Sequence, residues 1–193
     1  MCDLGNLNLT KYVVNPFADY NGLLINFNKE AYEKDIRTAV RFLDNILDVS
    51  EYPYKEIAYR AKGDRRIGLN GVAGFGSFLA MLRVPYDSQD AVEIASTLQY
   101  WCMCEAYQAS VELAKEKGAF PNFDAEEYLQ AEFVQKLPVH IKAGIKQYGI
   151  RNLALLRSRQ LGQEACLLVT SVTDWNQFLL WSIIVKYDSL TNR

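Results

Sequence analysis

Two hydrophobic periods alternate along this chain, and the alternation lays out the expected elements. Residues 6 to 14, NLNLTKYVV, place apolar side chains at Leu7, Leu9 and then Tyr12 to Val14, which predicts a strand. Pro16, Asp19, Asn21 and Gly22 interrupt it with turn chemistry. From Asn28, a residue able to cap a helix, Ile36, Val40, Leu43 and Leu47 recur at steps of four, three and four, with Ala39, Phe42 and Ile46 widening the stripe. Lys34, Asp35, Arg37, Arg41 and Asp44 flank that stripe as charges. Pro53 closes the region, and a short helix is expected around Lys55 to Ala61.

The stretch RRIGLNGVAGFGS, Arg65 to Ser77, then reads as a buried strand turning tightly into a helix over Ser77 to Leu82. Its glycines, Gly71, Gly74 and Gly76, permit positive φ and close approach of another chain or a ligand. Their G-x-x-G-x-G spacing departs from the G-x-G-x-x-G dinucleotide fingerprint, which disfavours a nicotinamide oxidoreductase. After Pro85, Asp87 or Ser88 can cap the longest helix, whose apolar ladder runs Val92, Ala95, Leu98, Cys102, Ala106, Ala109 and Leu113 before Gly118 stops it. Asp124 is expected to start a helix through Gln135, Pro138 to start another that Gly149 ends, and residues 150 to 156, IRNLALL, to form a further strand. Strands separated by large helical crossovers predict an α/β domain.

Composition narrows the chemistry. The 193 residues can bury a sizeable core, and a net charge of −2 supplies no basic footprint for nucleic acid. No apolar run approaches the roughly 18 residues of a membrane span, so a cytoplasmic protein with no membrane partner is expected. The four cysteines at 2, 102, 104 and 166 match neither a disulfide framework nor a zinc site. Cys102 and Cys104 sit two apart on a helix and cannot share a metal, and Cys102 falls on the buried ladder as a packed thiol. With a single histidine, His140, no metal site is expected, and whatever chemistry exists must rest on thiols, carboxylates or backbone amides.

Several linked stretches carry a resemblance. CDLGNLNLT (2 to 10), VRFLDNILDVSEYP (40 to 53), RRIGLNGVAGFGS (65 to 77), ASVELAKEKGAFPNF (109 to 123) and KQYGIRNLALL (146 to 156) stand in this order and spacing. Together they make residues 2 to 156 similar to the large catalytic subunit of ribonucleotide reductase. LNLTKYV, FGSFLAML and LPVHIKAGIKQYGIRN resemble its adenosylcobalamin-dependent class more than its di-metal class. The resemblance implies a helix-rich fragment, residues 1 to 156, of a ten-stranded α/β barrel that reduces ribonucleotides to deoxyribonucleotides by thiyl-radical chemistry. It further implies adenosylcobalamin as cofactor, a thioredoxin-like reductant as partner and a homodimeric parent enzyme.

Carried over onto this sequence, the C-x-L-G-x-x-N-L motif implies that Cys2 is one of two redox-active thiols that deliver the reducing electrons. Asp3 departs from the asparagine or leucine usual there, and Asn70 reads as an extra residue in the strand, a candidate bulge. The family's radical cysteine and the partner thiol precede this motif, so the chain alone is expected to be inactive.

Residues 157 to 193 show no family pattern where a P-T-G-T phosphate loop is expected. Back-translation, with each codon read from the third base of the one before, permits IAPTGTGSLLAGNVSDGLEP there. A base missing near the Leu156 codon is therefore expected, which would make Trp175, Trp181 and Cys166 accidental. The competing function class is a non-enzymatic helical interaction module using the Val92 to Leu113 face as a partner groove.

Overall fold

The computed structural model describes residues 3–20 and 22–156. Cys2 and residues 157 to 193 lie outside the described residues, and so do the expectations placed on them. The element order is strand β1 (Leu4–Asn8), a 3-10 turn (Leu9–Tyr12), α1 (Leu23–Asn26), α2 (Lys29–Val49), α3 (Lys55–Asp64), strand β2 (Gly68–Ala73), α4 (Phe75–Met81), α5 (Gln89–Lys117), α6 (Ala125–Gln130), α7 (Glu132–Gln135) and α8 (Val139–Tyr148). This is a helix-rich α/β arrangement in which β1 pairs with β2.

The helix ends follow from local chemistry. The Ala31 N–H donates to Asn28 Oδ1 at 3.1 Å at the start of α2, and the Ala91 N–H donates to Ser88 Oγ at 3.2 Å at the start of α5. Gly149 closes α8 at φ 76°, where a Cβ would lie 2.7 Å from that of Ala119, so only glycine fits.

The chain divides into two compact units. The first comprises, of the described residues, 3–5, 34–69 and 102–156. Its core includes Ile36, Val40, Leu43 and Leu47 of α2, Cys102, Ala106 and Leu113 of α5, and Ile141 and Ile145 of α8, all at most 2% exposed. Each large apolar side chain so buried contributes about 1.5–3 kcal/mol relative to exposure. The second comprises 6–33 and 70–101. There α4 packs on the 3-10 turn, and the rings of Tyr12, Phe27, Tyr32 and Phe78 meet mostly edge to face at centroid separations of 5.2 to 5.8 Å.

Several expectations need correcting. The N-terminal strand is shorter and earlier than residues 6 to 14, because Asn8 Oδ1 accepts both the Thr10 N–H (3.1 Å) and the Thr10 hydroxyl (2.8 Å) and turns the chain into a 3-10 turn. Phe42 is 63% exposed and does not widen the α2 stripe, whereas Asp44, placed among the flanking charges, is fully buried. The expected helix from Asp124 to Gln135 breaks at Ala131, which is extended at φ −58° and ψ 130°. Tyr128 and Val134 are both buried, yet six residues of continuous helix would put them about 240° apart, and the break lets both face inward.

Residues 150 to 156 contribute a parallel bridge between Leu69 and Leu156, with the Ile67 N–H on the Ala154 carbonyl and the Leu69 N–H on the Leu155 carbonyl, rather than a full strand. At Asn70, β2 runs on without interruption while the Val72 N–H donates to Asn70 Oδ1 at 3.2 Å. Ala95, Leu98, Cys102, Ala106, Ala109 and Leu113 are each at most 4% exposed. Most of the face expected to serve as a partner groove is therefore occupied by the protein's own core, and the interaction-module reading is not favoured. No helix among the described residues is long and apolar enough to cross a membrane.

Candidate functional site

Because Cys2 lies outside the described residues, the site is built from the strand that follows it. The Asp3 carbonyl accepts the Gly68 N–H at 2.9 Å, which ties the start of β1 to the start of β2. The Asp3 side chain is 6% exposed, and its Oδ2 has no hydrogen-bond partner among the described residues. Burial, reinforced by the negative charge of Asp44, pushes its carboxyl up to about 6.

At the far end of β1, the glycine turn resolves differently from a cofactor cradle. Of Gly71, Gly74 and Gly76 only Gly74 has positive φ, at 73°, and a Cβ there would meet Asn8 Oδ1 at 2.7 Å. The Asn8 amide already occupies the close approach that a dinucleotide would need. The turn is structural, in keeping with its spacing.

In the first unit a buried ion cluster forms around Asp44. Its Oδ1 accepts from Arg65 Nε at 2.8 Å and from Asn152 Nδ2 at 3.1 Å, and its Oδ2 from Arg151 Nε at 3.3 Å and Lys117 Nζ at 3.4 Å. Arg65 also donates to the Asp44 carbonyl at 2.8 Å and, through Nη1, to Asp48 at 2.7 Å. Burial opposes ionisation of Asp48, but the Arg65 hydrogen bond and the surrounding cations outweigh it and hold its carboxyl below the ordinary range. Asn152 is fully buried and completely used: Nδ2 also donates to the Arg65 carbonyl, Oδ1 accepts the Ser110 hydroxyl, and the Asn152 N–H donates back to Ser110 Oγ. A carboxylate this deep persists only because each lone pair meets a donor.

Sequence reasoning missed this cluster, although one signal was present. Asp44 stands four residues after Val40 and so falls within the buried helical frame. A charge at such a position calls for buried partners.

Among the described residues no group of His, Cys, Asp or Glu could hold a metal ion. A groove of about 450 Å³ between α2 and α3 is lined by Leu47, Ile57, Ala61, Glu56, Arg60 and Arg66. That volume suits a mid-sized organic ligand, roughly 300–1,000 Å³ being usual. A corrin ring with its nucleotide tail is larger than this groove, which by itself would not hold adenosylcobalamin.

Comparison with known proteins extends the motif evidence to most of the chain. The model of the ribonucleotide reductase barrel domain matches residues 1–158. A vitamin B12-dependent ribonucleoside-diphosphate reductase from Mycobacterium tuberculosis is 41% identical over 122 residues, 63% of this chain and 16% of the relative. The protein of the same description from Thermoplasma acidophilum is 37% identical over 127 residues, 66% of this chain and 15% of the relative. A ribonucleoside-diphosphate reductase subunit alpha from Chlamydia muridarum is 30% identical over 178 residues, covering 81% of this chain and 16% of the relative. The chain thus spans about one sixth of the length of these relatives. A match that runs from before β1 to the bridge at Leu156 takes in every described element, and on that ground the chain belongs to the ribonucleotide reductase family, in its barrel domain.

Proposed function

We propose that this chain is a segment of a ribonucleotide reductase catalytic subunit, drawn from a ten-stranded α/β barrel, and that Cys2 is one of its two reducing thiols. The supporting observation is the family match over residues 1–158, which includes the C-x-L-G-x-x-N-L motif at the head of β1. In the reaction the substrate's 2′-hydroxyl leaves as water, and two thiols become one disulfide, supplying two electrons and two protons. A thioredoxin-like dithiol would restore them by exchange. The names of the mycobacterial and archaeal relatives support an adenosylcobalamin-dependent parent acting on ribonucleoside diphosphates. A cytoplasmic homodimer is the setting proposed for it.

A chimera tests the thiol. Residues 2–156 replace the corresponding barrel segment of a B12-dependent relative, and deoxyribonucleotide formation is followed with a dithiol reductant. The Cys2 chimera is expected to turn over repeatedly and its Cys2→Ser form to lose turnover; equal turnover by the two would refute the assignment.

The same reading takes residues 157–193 as translation in a shifted frame, in keeping with a family match that stops at residue 158. Sequencing the gene through the Leu156 codon tests it, and an intact frame encoding residues 157–193 as written would overturn it.

A further inference from the structure

The groove between α2 and α3 has no part in the chemistry above. Ile57, Arg60, Ala61 and Asp64 stand at steps of three, one and three along α3, so they share one face of that helix, and this face lines the groove together with Leu47 of α2. Of the ten residues of α3 only Gly63 and Asp64 are buried, while Ile57 is 41% exposed. A helix this short is marginal in water, and an occupant of the groove would complete its packing. We propose that the groove binds a small organic anion, one carboxylate or phosphate group on an apolar body.

Charge decides the class of ligand. Asp64 is already engaged, its Oδ1 accepting from Asn122 Nδ2 at 2.9 Å and its Oδ2 from Arg66 Nε at 3.2 Å. Arg66 meets that carboxylate along its Nε–Nη2 edge and its side chain stays 64% exposed, which leaves Nη1 for another anion. Arg60 makes no hydrogen bond or ion pair among the described residues. Over residues 55 to 66 the exposed charges are Lys55, Arg60, Lys62 and Arg66 against Glu56 alone, in a chain whose net charge is −2. A local excess of positive charge thus surrounds an apolar floor of Leu47, Ile57 and Ala61. A guanidinium presents paired N–H donors that match two oxygens of a carboxylate or phosphate. The floor takes the apolar body, and about 450 Å³ is room for one such molecule.

The test uses the whole chain, photolabelled with 4-azidobenzoate at a subsaturating concentration, and peptide mass spectrometry locates the label. Wild type is expected to carry it within residues 47 to 66, with protection by benzoate or phenyl phosphate and none by neutral benzamide. Which of the two anions protects at lower concentration separates a carboxylate ligand from a phosphate one. Arg60→Gln, an exposed change that leaves the fold in place by circular dichroism, is expected to cut labelling about fivefold, the upper range for an exposed ion pair. Ala61→Leu, which fills the floor, is expected to do the same, and high salt to weaken labelling of the wild type. Label spread evenly over the chain, labelling unchanged in Arg60→Gln, or protection by benzamide equal to that by benzoate would each overturn the proposal. So would labelling that falls as the protein itself is concentrated, because the groove would then belong to a second copy. The readout involves no nucleotide reduction, so it stands or falls apart from the chimera.

Discussion

The two compact units reach burial by opposite means. Residues 6–33 and 70–101 fill their interior with rings, Tyr12, Phe27, Tyr32, Phe78 and Phe75, which pack mainly ring against ring, the Tyr32 hydroxyl also donating to the Gly71 carbonyl at 2.9 Å. Residues 34–69 and 102–156 carry a carboxylate at 0% exposure and a guanidinium at 5%, joined to Asn152 and Ser110 by hydrogen bonds. An aromatic core loses stability roughly in proportion to the area removed. A buried ion cluster fails abruptly, because removing one member strands the others without solvent.

The sharpest way to break this contrast is Asp44→Asn, which keeps shape and removes charge. It is expected to cost about 3–5 kcal/mol in urea unfolding, since Arg65 is left buried without its main counter-charge. A cost near that of an aromatic trim would show that the cluster is solvated in solution.

Asp3→Asn should act in the opposite direction. The folded carboxyl keeps its proton to about pH 6 while the unfolded one releases it near 3.8, so the folded state binds more protons between those values. Stability of the wild type therefore falls as pH rises from about 4 to 6. The variant is expected to gain about 1–3 kcal/mol at pH 7 and nothing at pH 4. A gain that persists at pH 4 would assign the effect to packing.

Phe78→Leu, in the aromatic unit, should cost about 1–1.5 kcal/mol with no dependence on pH, because neighbouring rings can close on most of the vacated space. Smallest of all is Arg37→Ala, which removes pairs to Glu105 and Glu112 that remain 19% and 44% exposed. A loss within about 1 kcal/mol that fades in high salt is expected, and a larger or salt-independent loss would mean this surface pair matters as the buried one does.

Much of the scaffold was legible because it is written locally. The α2 stripe from Ile36 to Leu47, the Ser88 cap and Gly118 stop of α5, and the Pro138 and Gly149 limits of α8 each depend on residues within a turn or two. What escaped depends on partners distant in sequence. Asp44 looks like one more surface charge until Arg65, Lys117, Arg151 and Asn152 arrive from 21 to 108 positions away. The break at Ala131 carries no glycine or proline and is decided by where Tyr128 and Val134 must bury. For the candidate site, the C-x-L-G-x-x-N-L motif was visible at once, while the burial of Asp3 with no donor to its Oδ2 among the described residues depends on the folded packing around it.

Arg65 caps α3 in the left-handed region at φ 48°, a conformation glycine adopts far more easily. Glycine at that position would relieve the backbone and forfeit the guanidinium; lysine would retain a charge but lose the fork that grips Asp44 and Asp48 together. No single replacement improves one requirement without harming the other. Among variants selected for folding, position 65 should hence change only alongside position 44, and such paired exchanges would make these two helices one inherited unit.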